Sequence, residues 1–472
     1  MSVLARDKDT ICAISTPSGV GGIALIRISG DLALSISRKL CPFLPIEPES
    51  HRIYYGFAQD NRESKSIDEV LVSYFAKGRS FTGEETIEIS CHGGNIITGN
   101  IIKALQSAGA RLAERGEFTY RSFLSGRIDL VQAESVLNLI EASTDRGSRL
   151  ALRQLGGELS TFAEELENSL HWILAHLEAN IDFAYEDIES ASKQDLLSKL
   201  DLILEISQKA LISYKSGRLI KEGLQVALIG PPNAGKSSLL NALLNEEKSI
   251  VSDIPGTTRD LVEGSLLLSG VRINFVDTAG VRDTNDPLEI LGIERTYKTL
   301  KSADLIWFLV DLGAEAEFSG LEALRDLNSD RVWIVGTKSD LIDKNSAMDV
   351  LLEGWQRLAG RVKLEWTEPP LMTFGNSVHE NGLKGVLECL TRFAVDSSGD
   401  NSVILIQARH HELFVKICAS LQRGRDLLKK DESPDFIAFE LQEALLGIHE
   451  LLGKRFDDEV LDRVFKEFCL GK

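Results

Sequence analysis

The sequence predicts a multidomain α/β protein: an N-terminal α+β domain over residues 1–122, an α-helical domain split between 123–222 and 396–472, and a doubly wound α/β domain inserted over 223–395. Three observations predict it. Short β-rich runs mixed with glycine turns fill the first part, and apolar residues at spacings of three and four fill the second. Buried strands alternating with helices begin at Gly223.

In the first domain, Thr10–Ser15, Gly22–Ser29, Val70–Ala76 and Thr86–Ser90 read as strands, and Leu32–Leu40 and Ile96–Ala108 as helices. Helical texture follows from Ile128 to Tyr214. There Leu155, Leu159, Phe162, Leu166, Leu170, Ile173 and Leu177 make an apolar stripe on one helix face, the pattern of a bundle helix. Asp182, Glu186, Asp187 and Glu189 near Tyr185 read as a solvated acidic loop rather than a metal site. Leu224–Ile229, Val271–Val276 and Arg331–Gly336 read as buried strands. After Val403, Ile404–Leu428 and Phe436–Leu452 return to helical spacing, so helices on both sides of the insertion are expected to pack together.

Composition narrows the function classes. No apolar run approaches the roughly 18 to 20 residues a membrane-spanning helix needs. The charges Arg6, Asp7, Lys8 and Asp9 make a secretory signal unexpected. Cys12, Cys41, Cys91, Cys389, Cys418 and Cys469 form no CxxC pair, which argues against a disulfide framework or a cysteine-built zinc site and fits a cytoplasmic protein. A net charge of −19 disfavours nonspecific coating of nucleic acid, although a local basic face or a partner could still bring the chain to RNA.

The strongest motif is Gly230-Pro231-Pro232-Asn233-Ala234-Gly235-Lys236-Ser237, between an apolar strand and the helix-compatible Ser238–Leu244. Glycines let the backbone N–H groups face phosphates, Lys236 supplies charge, and the Ser237 hydroxyl suits Mg²⁺. The strand Val271–Val276 runs into Asp277, Thr278, Ala279 and Gly280, where Asp277 can hold Mg²⁺ and the Gly280 amide can sense a γ-phosphate. Between them lie Asp253, Ile254, Pro255, Gly256, Thr257, Thr258, Arg259 and Asp260, with Thr258 able to complete the Mg²⁺ shell. Thr337-Lys338-Ser339-Asp340 follows the next strand. A carboxylate there accepts from the N1–H and the 2-amino group of guanine, donors that adenine lacks. Thr337 stands where asparagine is commonest. Ser377 and Val378 mark the last guanine-contacting loop, where a Ser-Ala pair is usual. Together these motifs define a P-loop, Ras-like GTP-binding domain.

Val281 occupies the position that carries a water-orienting glutamine in signalling GTPases, and valine cannot bond a water. Asn233 stands where those proteins have glycine. With backbone carbonyls of Ser252–Thr257, its side-chain oxygen could ligate K⁺, placing positive charge where an arginine finger would otherwise act. Glu289 is the candidate to orient water, with Asp283 and Asp286 behind it; a helix-surface carboxylate is the competing account of Glu289.

Further stretches complete the pattern: Ile26–Gly30, Phe81–Glu84, Cys91–Gly94, Arg115–Phe118, Gln132–Glu134, Gly292–Arg295 and Phe468–Lys472. Over nearly its whole length the chain resembles the MnmE (TrmE) family of tRNA modification GTPases. The resemblance implies an N-terminal domain that dimerises and binds 5-formyltetrahydrofolate or a related tetrahydrofolate through Arg27, Glu88, Arg127 and Lys472, with arginine at 127 where lysine is expected. It implies K⁺ held by Asn233, Ser252, Ile254 and Thr257, Mg²⁺ on Ser237 and Thr258, and Glu289 orienting water. GTP would contact Asn233 to Ser238, Ser252 to Thr258, Asp277 to Gly280, Thr337 to Asp340, Ser377 and Val378. A flavoprotein partner, MnmG, is expected to form a heterotetramer with the homodimer and to act with it on C5 of the wobble uridine (U34) of tRNA. Cys469 is the family's cysteine near the C-terminus, a possible thiolate nucleophile. Cys91 beside His92 reads as structural, because neighbours on a strand face opposite ways. From another class, the alternative is a ribosome-assembly GTPase acting as a binding switch, which is expected to carry an RNA-binding module and a more basic surface. A folate enzyme without a partner is a third reading, which the acidic charge permits.

Overall fold

A computed structural model describes residues 9–17, 19–60, 65–182, 191–246, 262–277, 297–313, 324–325, 327–362, 366, 368–379, 381–397, 405–456, 458–469 and 471. The chain opens with β1 (Ile11–Ile14), β2 (Ile23–Ser29), α1 (Ala33–Leu40), β3 (Arg52–Asp60), β4 (Lys65–Phe75), β5 (Thr86–His92), α2 (Asn95–Ala108) and β6 (Arg111–Leu112). The six strands form one sheet in the order β3-β4-β5-β2-β1-β6. One sheet face is apolar: Ile26, Ile28, Val70, Val72, Ile87 and Ile89 are buried with Ile36, Leu40, Ile101 and Leu105 of the two helices. α2 stops at Gly109, whose φ of 116° lets its N–H reach back to Leu105 and Gln106.

Five helices follow: α3 (Glu117–Leu124), α4 (Leu130–Glu141), α5 (Asp145–Leu155), α6 (Glu158–Asp182) and α7 (Lys193–Glu222). The seven-residue stripe expected on one helix divides here. Leu155 ends α5, and Leu159 to Leu177 belong to α6. The cause is Gly156-Gly157: Gly157 has φ +90°, and the Gln132 side-chain amide donates to the Leu155 carbonyl at 3.0 Å. The acidic residues near Tyr185 lie outside the described side chains.

Next come β7 (Leu224–Ile229), α8 (Lys236–Glu246), β8 (Val262–Leu268), β9 (Val271–Asp277), β10 (Leu305–Asp311), β11 (Val332–Thr337), α9 (Lys344–Val362), β12 (Leu371–Phe374) and α10 (Lys384–Ser397). Their sheet runs β12-β11-β10-β7-β9-β8, all parallel except the β8 edge. Alternate residues serve opposite faces. Val226, Leu228, Trp307 and Leu309 pack on one side, and Ala227, Ile229, Ile306 and Phe308 on the other, which explains the unbroken apolar runs.

α11 (Ala408–Lys429), α12 (Pro434–Leu452) and α13 (Asp458–Lys466) complete the chain. Contacts divide it into residues 1–141, 151–207 and 413–472 as one compact unit, and 142–150 with 208–412 as the other. Within the first unit α6 packs on α12, Phe162 stacks on Phe414 at 6.1 Å, and Arg425 pairs with Asp201. Helices from before and after the nucleotide motifs in sequence therefore share one core. Among the described residues, no helix is long and apolar enough to cross a membrane.

Candidate functional site

The phosphate loop and the base-reading segment follow the C-terminal ends of β7 and β11 in the parallel sheet. After β7 the chain supplies β8 and β9 on one side of it and then β10 on the other, so the loop after β7 sits where the winding reverses. That loop is built by close approach and left-handed backbone. A Cβ at Gly230 would lie 2.7 Å from the Leu309 carbonyl oxygen. Asn233 and Gly235 take φ of 66° and 84°, and asparagine tolerates that region better than most residues. Lys236 opens α8 and donates its ammonium to the carbonyls of Gly230 and Pro231 at 2.8 and 3.2 Å. Asn233, Ser237 and Ser238 are exposed, and Ala234 is buried. The first-turn amides of α8, the lysine charge and an exposed serine hydroxyl make a donor set that fits a phosphate with Mg²⁺.

The base-reading segment is fastened to that loop. The buried Thr337 hydroxyl lies 2.7 Å from the Ala234 carbonyl oxygen and 3.2 Å from that of Val310, and its single proton serves the shorter contact best. Lys338 turns through φ 55° and pairs with Asp311 at 2.5 Å; the Asp311 carboxylate also accepts the Gly313 amide. The Ser339 amide donates to the Gly375 carbonyl at 3.2 Å, and the Gly375 amide to that of Gly336 at 2.9 Å. Loops after β11 and β12 thus lie side by side. Asp340 is exposed in the turn Ser339–Leu341. Ser377 and Val378 are exposed in the adjoining loop, held by the Asn376 carboxamide oxygen, which accepts the amides of Val378 and His379. Sequence reasoning missed Asp311 and Asn376, since each acts through the bend of its own loop. In register, Asp277 opposes Leu228 at the end of β9.

In the N-terminal sheet Arg27 and Glu88 are direct cross-strand partners, bonded at 2.8 and 2.9 Å and about one-fifth exposed. The guanidinium carbon stands 5.5 Å from the Phe118 ring centroid and 5.9 Å from that of Phe81. Arg127 is exposed on the turn after α3. Near the other end of the chain Phe468 is fully buried, Cys469 is exposed, and Gly471 lies against β1. The Gly471 carbonyl accepts the Ser15 hydroxyl at 3.1 Å, and a Cβ there would fall 2.2 Å from the Ile14 carbonyl oxygen. Ala13 of β1 pairs with Arg27, and the next residue, Ile14, is the one Gly471 lies against.

A charge network supports this region. Arg121, with a side chain only 3% exposed, bonds Glu84 at 3.1 Å and Glu117 at 3.0 Å; Glu117 also takes Arg111 at 2.6 Å. Burial alone would raise the Glu117 carboxyl, but the Arg111 bond, the Glu114 amide and the nearby Arg121 charge hold it below the usual glutamate range. Glu84 and Glu117 fall in the stretches Phe81–Glu84 and Arg115–Phe118, but no sequence pattern joins them through Arg121. Cys91 is buried with its thiol pushed up to about 11, by burial first and then by Asp68, while the exposed His92 bonds Asp68. They make no nucleophile pair.

Ser252, Asp253, Ile254, Pro255, Gly256, Thr257, Thr258, Thr278, Ala279, Gly280, Glu289 and Lys472 lie outside the described residues.

The sheet order and the phosphate loop define a P-loop GTPase. Residues 10–127 match the family model of the GTP-binding protein TrmE N-terminus, and residues 130–469 match that of the MnmE helical domain. Relatives described as tRNA modification GTPase MnmE include one from Bdellovibrio bacteriovorus, 44% identical over 99% of this chain and 98% of its own. Those from Syntrophotalea carbinolica (38%, covering 99% and 100%) and Levilactobacillus brevis (37%, covering all of both) are similar over the same span. The chain belongs to the MnmE family of tRNA modification GTPases.

Proposed function

We propose that this chain is a K⁺-stimulated GTPase acting in the cytoplasm with the flavoprotein MnmG to modify C5 of the wobble uridine of certain tRNAs, using a one-carbon unit on a tetrahydrofolate. The relatives' name supports tRNA as substrate. The domain division at residues 1–122, 123–222, 223–395 and 396–472, the homodimer and the heterotetramer with MnmG belong to the same reading.

The carrying observation is the half-buried Arg27–Glu88 pair, whose guanidinium stands near the rings of Phe81 and Phe118, with Gly471 bonded to Ser15 just beyond β1 of the same sheet. Both Arg27 bonds use one Glu88 oxygen, Oε1, which leaves the other to accept N–H donors of a pterin ring. Two aromatic rings can flank such a planar group. Arg127 and Lys472 would add cationic charge for its glutamate tail.

In the GTPase domain the chain's own groups hold and orient the nucleotide. Loop amides, Lys236, Ser237 and Thr258 would bind phosphates and Mg²⁺, Asp340 the guanine edge, and Glu289 the attacking water. K⁺ on Asn233, Ser252, Ile254 and Thr257 would stabilise charge growing on the phosphates.

Deleting Cys469–Lys472 is expected to abolish wobble-uridine modification, read by mass analysis of tRNA, while GTP hydrolysis persists. Retained modification would contradict the reading.

A further inference from the structure

Three metal-capable side chains that belong to neither the nucleotide motifs nor the Arg27–Glu88 pair meet where α6 packs on α12. Glu167 and His171 are one helical turn apart on α6, and His449 comes from the last turn of α12. Their ligand atoms all lie within 4.8 Å of one another. His449 Nε2 is 3.0 Å from Glu167 Oε1, and His171 Nε2 is 3.9 Å from the same oxygen. Ligand atoms around a tetrahedral ion with bonds near 2.1 Å are about 3.4 Å apart, so these two separations bracket the required value. The remaining carboxylate oxygen, Oε2, is held by Lys454 at 2.5 Å. That bond fixes the carboxylate and aims Oε1 at both imidazoles, the outer-sphere support that metal ligands commonly have.

We propose that Glu167, His171 and His449 form a divalent-metal site of the zinc type that ties α6 to α12. Two imidazoles and one carboxylate oxygen suit Zn²⁺, whereas Mg²⁺ and Ca²⁺ take oxygen shells that this triad cannot supply. Water completes the tetrahedron. On binding, the ion replaces the Nε2 proton of His449, and the neutral imidazole carries its proton on Nδ1 instead. The site joins helices separated in sequence by the whole nucleotide domain, so an ion there stabilises the folded helical core by mass action.

The test is a calorimetric titration of the full chain with zinc chloride, after EDTA stripping and in excess GDP and Mg²⁺ so that the nucleotide site is filled. Saturable binding is expected, weakened about tenfold or more in His171→Ala and in His449→Ala. Zinc should also raise the thermal midpoint of the parent and not of the variants. Cys469→Ser should keep the binding, which excludes capture by the exposed thiol. No saturable binding by the parent, parent-like binding by the His171→Ala variant, or loss of binding in Cys469→Ser would overturn the proposal. His171 is exposed, so its variant carries the test even if His449→Ala fails to fold.

Discussion

Thr337 shows how one atom can couple two binding loops. Asparagine is the commoner residue at its position, and the sequence alone suggests looser purine-edge contacts. In the fold the hydroxyl bonds the Ala234 carbonyl and so ties the base-reading loop to the phosphate loop. Thr337→Val keeps the shape and removes the donor, leaving a buried carbonyl unpaired. It is expected to lower stability by about 1–3 kcal/mol in denaturant unfolding and to weaken GDP affinity in the same preparation. Asp340 does different work. It is exposed and makes no structural bond among the described residues, so Asp340→Asn should leave unfolding unchanged while weakening guanine nucleotides in a fluorescence titration. The expected loss is about 1.5–3 kcal/mol, the value of hydrogen bonds to a charged group.

Most elements of this chain are legible in its sequence, and the exceptions have physical causes. β7 and β11 carry apolar runs because both their faces are buried, while β9 places Val271, Ile273 and Phe275 in one core and interrupts its other face with Arg272 and Asn274. β3 escapes notice because half its residues are exposed and polar or aromatic side chains interrupt the alternation. β6 has two residues, too few for any periodicity. The α5–α6 break falls inside an uninterrupted leucine spacing and is set by backbone at Gly157, which a side-chain pattern does not register. The site divides in the same way. The phosphate loop is a contiguous string and can be read directly, whereas the Arg27–Glu88 pair is made by strand register and the Arg121 network by tertiary packing. Arg121→Met should cost about 3 kcal/mol in urea unfolding, because it leaves Glu117 and Glu84 short of a buried partner. The folded pKa of Glu117 lies below its ordinary 4.5. Its contribution to stability is therefore full above that pH and is lost as acid takes the protein through the lower, folded value. Arg121→Met should narrow that acid-sensitive window.

Two sites lie on different compact units of one chain: nucleotide loops on a sheet parallel but for one edge, and a carboxylate–guanidinium pair on a mixed one. Valine at 281 cannot hydrogen-bond an attacking water, so hydrolysis uses another group or is slow, and Asn233 is exposed in a left-handed turn of the phosphate loop. The decisive measurement is the rate of GTP hydrolysis in KCl against NaCl at equal ionic strength, for the parent chain and for Asn233→Ala. Faster hydrolysis in KCl, with the difference erased in Asn233→Ala, is the predicted result. Equal rates in both salts for the parent would contradict it.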